Sequence, residues 1–410
     1  LASAGRGMRH RSVRARGRWP LMRYVLAIIG IFALVTSVIV CGDPGEPPGT
    51  RSFLVVVESS LHEPLRASLE QYAETMELAR YEVHVEPWES SGTVVELRAL
   101  LLEHFESNGI EGALLIGDLP AAKYEMPYEI PALDTMEEFP TDLYLQDLDA
   151  PWVSRNGNDF YDYHDPLELD IYTSRLIGTP TQLVDYFARL ERYRREGPLV
   201  DRSAFIFIDD DWYNKDTSNA CNLGELYSEV EVIQDKADST LENYLAKLRG
   251  EGAEFVYQWI HGAPPGTYPG WLAFDHVDVE GEFTQLKLFA DDIVEQNLKV
   301  SFVNLANCYS ARFTDDALAV ATAYTVGTDY GLATVGSTKM GAQTDPRLFH
   351  EGLTKGLRWG EAYREWYNQV GRKNDHWHLG IVLMGDPLLR VTGDLFPAGP
   401  SPDTTWGAEP

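Results

Sequence analysis

Short apolar runs alternate with amphipathic stretches along most of this chain. Phe53 to Val57, Tyr81 to Val85 and Ala113 to Ile116 have strand length, and between them Leu61 to Leu78 and Thr93 to Phe105 repeat apolar residues at helical spacing. Strands that are apolar at nearly every position are covered on both faces, so the alternation predicts a parallel sheet between helix layers. An acidic, turn-rich segment over 140–170 interrupts it. The pattern resumes with a strand from Ile171 to Ile177 and a helix whose Leu183, Tyr186, Phe187, Leu190 and Tyr193 form a buried stripe.

A second run starts at Ser203, with a strand from Ala204 to Ile208. Ser239 and Glu242 have capping-box spacing before a helix carrying Leu241, Tyr244, Leu245 and Leu248, and Gly250 ends it. Two apolar strands follow, Val256 to Gly262 and Val300 to Cys308. Then come a helix over Ala317 to Tyr324, a strand over Gly331 to Val335, helices near Leu348 and Glu361, and a last apolar run from Ile381 to Met384. The expected organisation is a linker over 42–52, an α/β subdomain over 53–198, a second over 199–392, and a disordered tail over 393–410 rich in Pro, Gly and Asp.

The first forty-one residues stand apart. Arg6, Arg9, Arg11, Arg14, Arg16, Arg18 and Arg23 occur with no acid, and an uncharged run from Tyr24 to Val40 ends at Cys41. A basic region, an apolar stretch and a cysteine junction describe an export signal of bacterial lipoprotein type, with Cys41 as the lipid acceptor. An uncleaved single-span anchor is the alternative. Either places the rest of the chain outside the cytoplasm and gives it a membrane attachment. The whole chain carries a net charge of −29, and the excess of acid is larger once the basic segment is set aside. That surface repels phosphate backbones, so nucleic-acid binding is not expected. With three cysteines, disulfides do not support the fold, although a Cys221–Cys308 pairing stays open beside a free Cys308.

Candidate chemistry lies at two strand ends. His261-Gly262 closes one apolar strand and Cys308 closes another. A sheet holds such groups rigidly while the next loop leaves them accessible. A thiol of ordinary pKa is mostly protonated at neutral pH, so an adjacent imidazole makes it a far better nucleophile. Histidine ahead of cysteine argues against the papain order, and no Cys-x-x-Cys or His-Glu-x-x-His spacing supports zinc. His376 and His378 flank Trp377 and are expected at the surface.

Four pieces in this order resemble the gingipain family of caspase-like cysteine peptidases: Leu114-Leu115-Ile116-Gly117-Asp118, His261-Gly262, Cys308, and Met384-Gly385-Asp386-Pro387-Leu388-Leu389-Arg390-Val391. The resemblance runs from about Phe53 to Val391. It implies a caspase-like α/β fold of mostly parallel sheet flanked by helices, in two α/β subdomains, and protein or peptide substrates. It makes His261 the proton acceptor, Cys308 the nucleophile, and the backbone N–H groups of Gly262 and Cys308 an oxyanion hole. The orienting acid falls in Asp209-Asp210-Asp211, with Asp210 favoured. The same fold also accommodates a catalytically silent surface-binding module, or a transpeptidase or sorting enzyme with another amine as acceptor.

The interrupting segment carries Asp142, Asp147, Asp149, Asn156, Asn158 and Asp159 around Gly157. Short oxygen-bearing side chains on such a loop suit a structural calcium ion, although the spacing is not that of an EF-hand. Tyr144, Trp152, Phe160, Tyr161 and Tyr163 predict that the loop lies down on the core.

Overall fold

A computed structural model describes residues 50–393, apart from 129–134, 216–221, 265, 267, 278–280 and 392. Its centre is a ten-stranded sheet. In spatial order the strands are Val230–Ile233, Ala204–Ile208, Ala253–Trp259, Val300–Ala306, Ala333–Ser337, Ile381–Gly385, Tyr172–Leu176, Ile110–Ile116, Arg51–Glu58 and Tyr81–Trp88. Every pairing is parallel except Ala333–Ser337 with Ile381–Gly385. The sheet is therefore two parallel blocks running in opposite directions.

Strands before residue 199 fill one block and strands after it the other, with one exchange. The last strand, Ile381–Gly385, leaves the second half and pairs with Tyr172–Leu176 of the first. Side chains of the strands alternate between cores, as period-two geometry requires. Phe53, Val55, Ile206, Tyr257, Phe302, Val335 and Leu383 all belong to one continuous core that spans both halves. The opposite face has two separate cores, one holding Leu54 and Val56, the other Phe205, Val256, Val303 and Met384. The two halves are thus fused on one face and distinct on the other.

Local sequence explains the helix boundaries. Thr93 and Glu96 cap the helix Val94–Asn108 reciprocally, and Gly109 at φ 65° closes it. Thr179 and Gln182 do the same for Pro180–Glu196, whose buried residues include all five of the expected stripe. The box expected at Ser239 and Glu242 is displaced by one residue. Thr240 is the N-cap, accepting from the Asn243 amide, while Ser239 is buried before the helix Leu241–Arg249 begins. The linker expected to end at 52 is shorter, because Arg51 and Ser52 already pair with Tyr81 and Glu82.

One antiparallel hairpin and one three-stranded antiparallel sheet are absent from the predicted pattern. Ala122–Pro127 pairs with Met136–Thr141, and Trp271–Val277 pairs with both His261–Ala263 and Phe283–Phe289. The acidic segment carries a short helix, Leu143–Gln146, and a small ribbon, Trp152–Val153 with Tyr163–His164. It does lie down: Tyr144, Trp152 and Tyr161 meet ring to ring at 5.0 to 5.8 Å, although Tyr163 stays exposed. Among the described residues no helix is long and apolar enough to cross a membrane. The proposed export segment, residues 1–41, lies outside them, as does the tail apart from Gly393.

Candidate functional site

Sheet register brings three strand ends side by side. Ile208 pairs with Trp259, and Trp259 with Ala306, so the residues that follow emerge together at one edge. His261 and Cys308 each stand two positions past a paired residue. The histidine strand breaks at Ile260, and His261–Ala263 turns away to pair with Trp271–Val277.

A buried relay of amides and hydroxyls locks the two ends together. The Tyr244 hydroxyl donates to Gln258 Oε1 at 2.6 Å, Gln258 Nε2 donates to Asn307 Oδ1 at 2.8 Å, and Asn307 Nδ2 donates to the Ile260 carbonyl at 2.5 Å. Gln258 and Asn307 are almost fully buried, where leaving such groups unpaired would be costly. The backbones also touch. A Cβ added to Gly262 would sit 2.3 Å from the Cys308 carbonyl oxygen and 3.2 Å from Asn307 Cβ, so only glycine fits. Sequence reasoning singled out Gly262 but missed Gln258 and Asn307. The available signal was a polar residue inside an otherwise apolar strand run.

The acids sort themselves by the turn that follows Ile208. Asp209 continues the sheet, its N–H donating to the Trp259 carbonyl at 2.9 Å. The chain then enters a 3-10 turn, Asp210–Trp212. That turn sends Asp210 away from the histidine: its oxygens accept from Lys236 Nζ and the Val277 amide, each at 3.0 Å. Asp211 is the residue that reaches His261, Oδ2 to Nε2 at 2.8 Å, and Asp275 Oδ2 lies 3.7 Å from the same nitrogen. The preference for Asp210 is corrected accordingly. Trp212 lies over the imidazole, ring centroids 4.4 Å apart.

Asp209 is fully buried, and burial pushes its carboxyl up to about 8, with Asp275 and Asp211 adding repulsion and the Asp275 amide opposing. Cys308 is a free, half-buried cysteine. Burial pushes its thiol up; the Gly341 amide hydrogen-bonds to it and the Lys339 charge pulls the other way. A thiol held in its protonated form must lose its proton during attack rather than beforehand. Cys221 lies outside the described residues.

The cysteine loop is walled by the first half of the chain. Tyr309 takes a left-handed φ of 58° directly after Cys308, and its hydroxyl meets that of Tyr128 at 2.5 Å. Glu137, on the Met136–Thr141 strand, accepts from the Met340 amide at 2.6 Å and lies 3.5 Å from Lys339 Nζ.

The sequence matches the model of Peptidase family C25 over residues 51–392. The chain belongs to peptidase family C25. This is the gingipain family of cysteine peptidases, as the motifs implied, and the mostly parallel sheet between helices agrees with its caspase-like fold. A comparison with curated protein sequences gives no match. Among solved structures, an ABC transporter solute-binding protein from Conexibacter woesei DSM 14684 aligns at 10% identity over 83% of this chain and 92% of that one, with a TM-score of 0.19, which carries no argument.

In this C25 chain the expected calcium ligands do not converge. Asp142 is buried in an ion pair with Arg175, Oδ1 to Nη2 at 2.7 Å. Asn156 and Asn158 donate to Glu125 Oε1 at 2.7 and 3.0 Å, and Asp159 is exposed. Asp147 and Asp149 do come together, joined by Asp170, with ligand atoms within 4.8 Å of one another. His378 is buried, contrary to the expectation, with Nδ1 2.8 Å from the Gly371 carbonyl; His376 is exposed as expected.

Proposed function

We propose that the chain is an exported cysteine endopeptidase in which His261 takes the proton of Cys308 as the thiolate attacks a peptide carbonyl. The C–N bond breaks as the amine leaves with a proton from the imidazolium, and water then hydrolyses the thioester. Asp211 orients His261 through Nε2, which leaves Nδ1 for the proton exchange. Gly262 and Cys308 supply backbone N–H groups to the developing oxyanion. One observation carries the reading: Gln258 and Asn307 tie the histidine and cysteine strand ends together through buried hydrogen bonds.

The test is a peptide probe bearing a thiol-reactive group, applied to wild type, Cys308→Ala and His261→Ala. Labelling and peptide cleavage lost in Cys308→Ala, with melting unchanged, support the reading; full cleavage by that variant overturns it. Adding a free amine and analysing products separates hydrolysis from transpeptidation.

Two further parts belong to the proposal. Attachment at Cys41 predicts fatty-acid labelling that disappears in Cys41→Ser, whereas membrane retention without label indicates the single-span anchor. Calcium is proposed at Asp147, Asp149 and Asp170, where clustered charge would be neutralised by a dication. Melting indifferent to calcium after chelation removes that ion from the proposal.

A further inference from the structure

Beside the nucleophile stands a second polar group that the peptidase chemistry does not use in full. Asp209, His261 and Asp275 each offer a ligand atom, and these lie within 4.8 Å of one another. Asp209 is fully buried, yet its Oδ1 has no well-formed hydrogen bond, while Oδ2 accepts a long bond from the Asp275 amide at 3.3 Å and the Asp210 amide adds weak support to the carboxyl. A buried carboxyl oxygen left without a hydrogen-bond partner is a costly arrangement whether the group is protonated or charged, and a dication that displaces its proton would satisfy it. Asp275 is held for the purpose, since Gln285 Nε2 donates to its other oxygen at 2.8 Å. Asp211 closes the rim through its contact with His261.

We propose that Asp209, His261 and Asp275 form a divalent transition-metal site, suited to zinc, whose occupation withdraws His261 from proton transfer. One imidazole nitrogen and two carboxylates, with an open side toward solvent, match the three protein ligands and one water that zinc accepts. Calcium prefers six to eight oxygens and gains little from a nitrogen donor. The consequence for catalysis follows from counting protons. A metal on Nε2 occupies that lone pair and displaces Asp211, the ring proton moves to Nδ1, and the ring has no free nitrogen with which to accept the Cys308 proton. The metal site stands on its own residues. Only the inhibition rests on the peptidase reading.

The experiment is calorimetric titration of the full-length Cys308→Ala protein with zinc chloride and, separately, calcium chloride. Removing the thiol excludes zinc capture by the nucleophile and makes the readout independent of activity. One zinc site is expected, weakened at least ~10-fold in Asp275→Asn and in Asp209→Asn, and unchanged in Asp147→Asn. His261→Gln, a third variant, guards against a fold lost in Asp209→Asn, and melting curves verify each. With the thiol present, the zinc concentration that halves peptide cleavage, measured at substrate well below KM and relative to each protein's own zinc-free rate, should rise in Asp275→Asn by about the factor found calorimetrically. Zinc bound no more tightly than calcium, or with equal affinity in folded Asp275→Asn and His261→Gln, overturns the site. Zinc binding at these residues in a chain that cleaves no peptide supports the site and removes only the peptidase reading.

Discussion

Asp386 and Asp209 occupy matching places in the two blocks of the sheet and are treated in opposite ways. Each is fully buried immediately after an apolar strand, Ile381–Gly385 for one and Ala204–Ile208 for the other. Asp386 is saturated. Arg194 Nη2 reaches it at 2.5 Å, the Tyr72 hydroxyl and the Leu388 amide each at 3.0 Å, and its own N–H goes to the Tyr186 hydroxyl. Asp209 has a long contact from the Asp275 amide and weak support from the Asp210 amide, no cationic partner, and two further carboxylates facing it. The chain is thus able to satisfy a buried aspartate at a strand end, and it does not do so beside His261. An anchor and a site are told apart by what the neighbours provide, not by the aspartate or its position.

The comparison breaks most visibly if Asp386 is truncated. Asp386→Ala strands the Arg194 guanidinium in the core, and removing one member of a buried pair costs roughly 3–5 kcal/mol. A lower denaturation midpoint is expected, with Cys308 in the folded fraction still labelled by a thiol-reactive probe. Cys308→Ala should behave inversely, with melting retained and cleavage gone. Equal stability of Asp386→Ala and wild type in urea melts would sink the anchor assignment.

Glu254 offers an intermediate case, at the far end of the strand that leads to His261. It is buried with the Tyr193 hydroxyl donating at 3.0 Å, and burial raises its carboxyl to about 7 despite help from Tyr193, Arg202 and Tyr227. A carboxyl whose folded pKa lies above its unfolded value binds extra protons in the native state. Stability should therefore be greatest below about pH 4.5 in this contribution and fall as pH rises toward 7. Glu254→Gln removes that loss, so at pH 8 it should be more stable than wild type by up to about 3 kcal/mol, at roughly 1.4 kcal/mol per pH unit. At pH 4 the two should melt alike. Cleavage by the folded protein should not change, because Glu254 lies at the wrong end of the strand.

The difference between anchor and site also governs what the sequence disclosed. The strand and helix alternation was legible because continuous apolar strands and capping residues act locally, as Thr93 with Glu96 and Thr179 with Gln182 do. The placement of His261 and Cys308 at strand ends was legible because they close such strands. The acid was not, because a 3-10 turn of three residues decides whether Asp210 or Asp211 faces the imidazole, and periodicity does not describe a turn. The hairpin strand Phe283–Phe289 is largely exposed and carries no burial pattern to read. The Asp142–Arg175 pair joins residues from the acidic segment and from a strand, so a carboxylate that looked like a calcium ligand was already committed to the core. The Gly385-Asp386 motif marks the family, yet its aspartate holds the fold.

Gly262 sharpens the comparison at the scale of one methyl group. Gly262→Ala places a carbon 2.3 Å from the Cys308 carbonyl oxygen, so the two strand ends must separate. A displacement near 1 Å between reacting groups can cost ~10²-fold in rate. A drop of about that size in kcat/KM is expected. Melting should move little, because the strain falls at the edge of the sheet. Unchanged kinetics would mean that the strand ends yield without disturbing the dyad.

The smallest effect should come from the carboxylates of the 3-10 turn, and it separates orientation from bulk charge. Asp211 touches His261 but is half exposed, so water and salt screen its charge, and Asp275 remains nearby when it is neutralised. Asp211→Asn should therefore lower kcat/KM by about tenfold, roughly 1.4 kcal/mol of transition-state stabilisation. An asparagine amide still donates to or accepts from Nε2, but it no longer favours the imidazolium that the proposed mechanism forms as Cys308 loses its proton. The loss should accordingly fall on kcat rather than on KM. Asp210→Asn carries the same change of charge one residue away, where the carboxylate serves Lys236 and the Val277 amide, and it should leave kcat within experimental error. Equal losses from the two variants would show that the site responds to net negative charge alone, and the orienting role would pass from Asp211 to the acidic cluster as a whole.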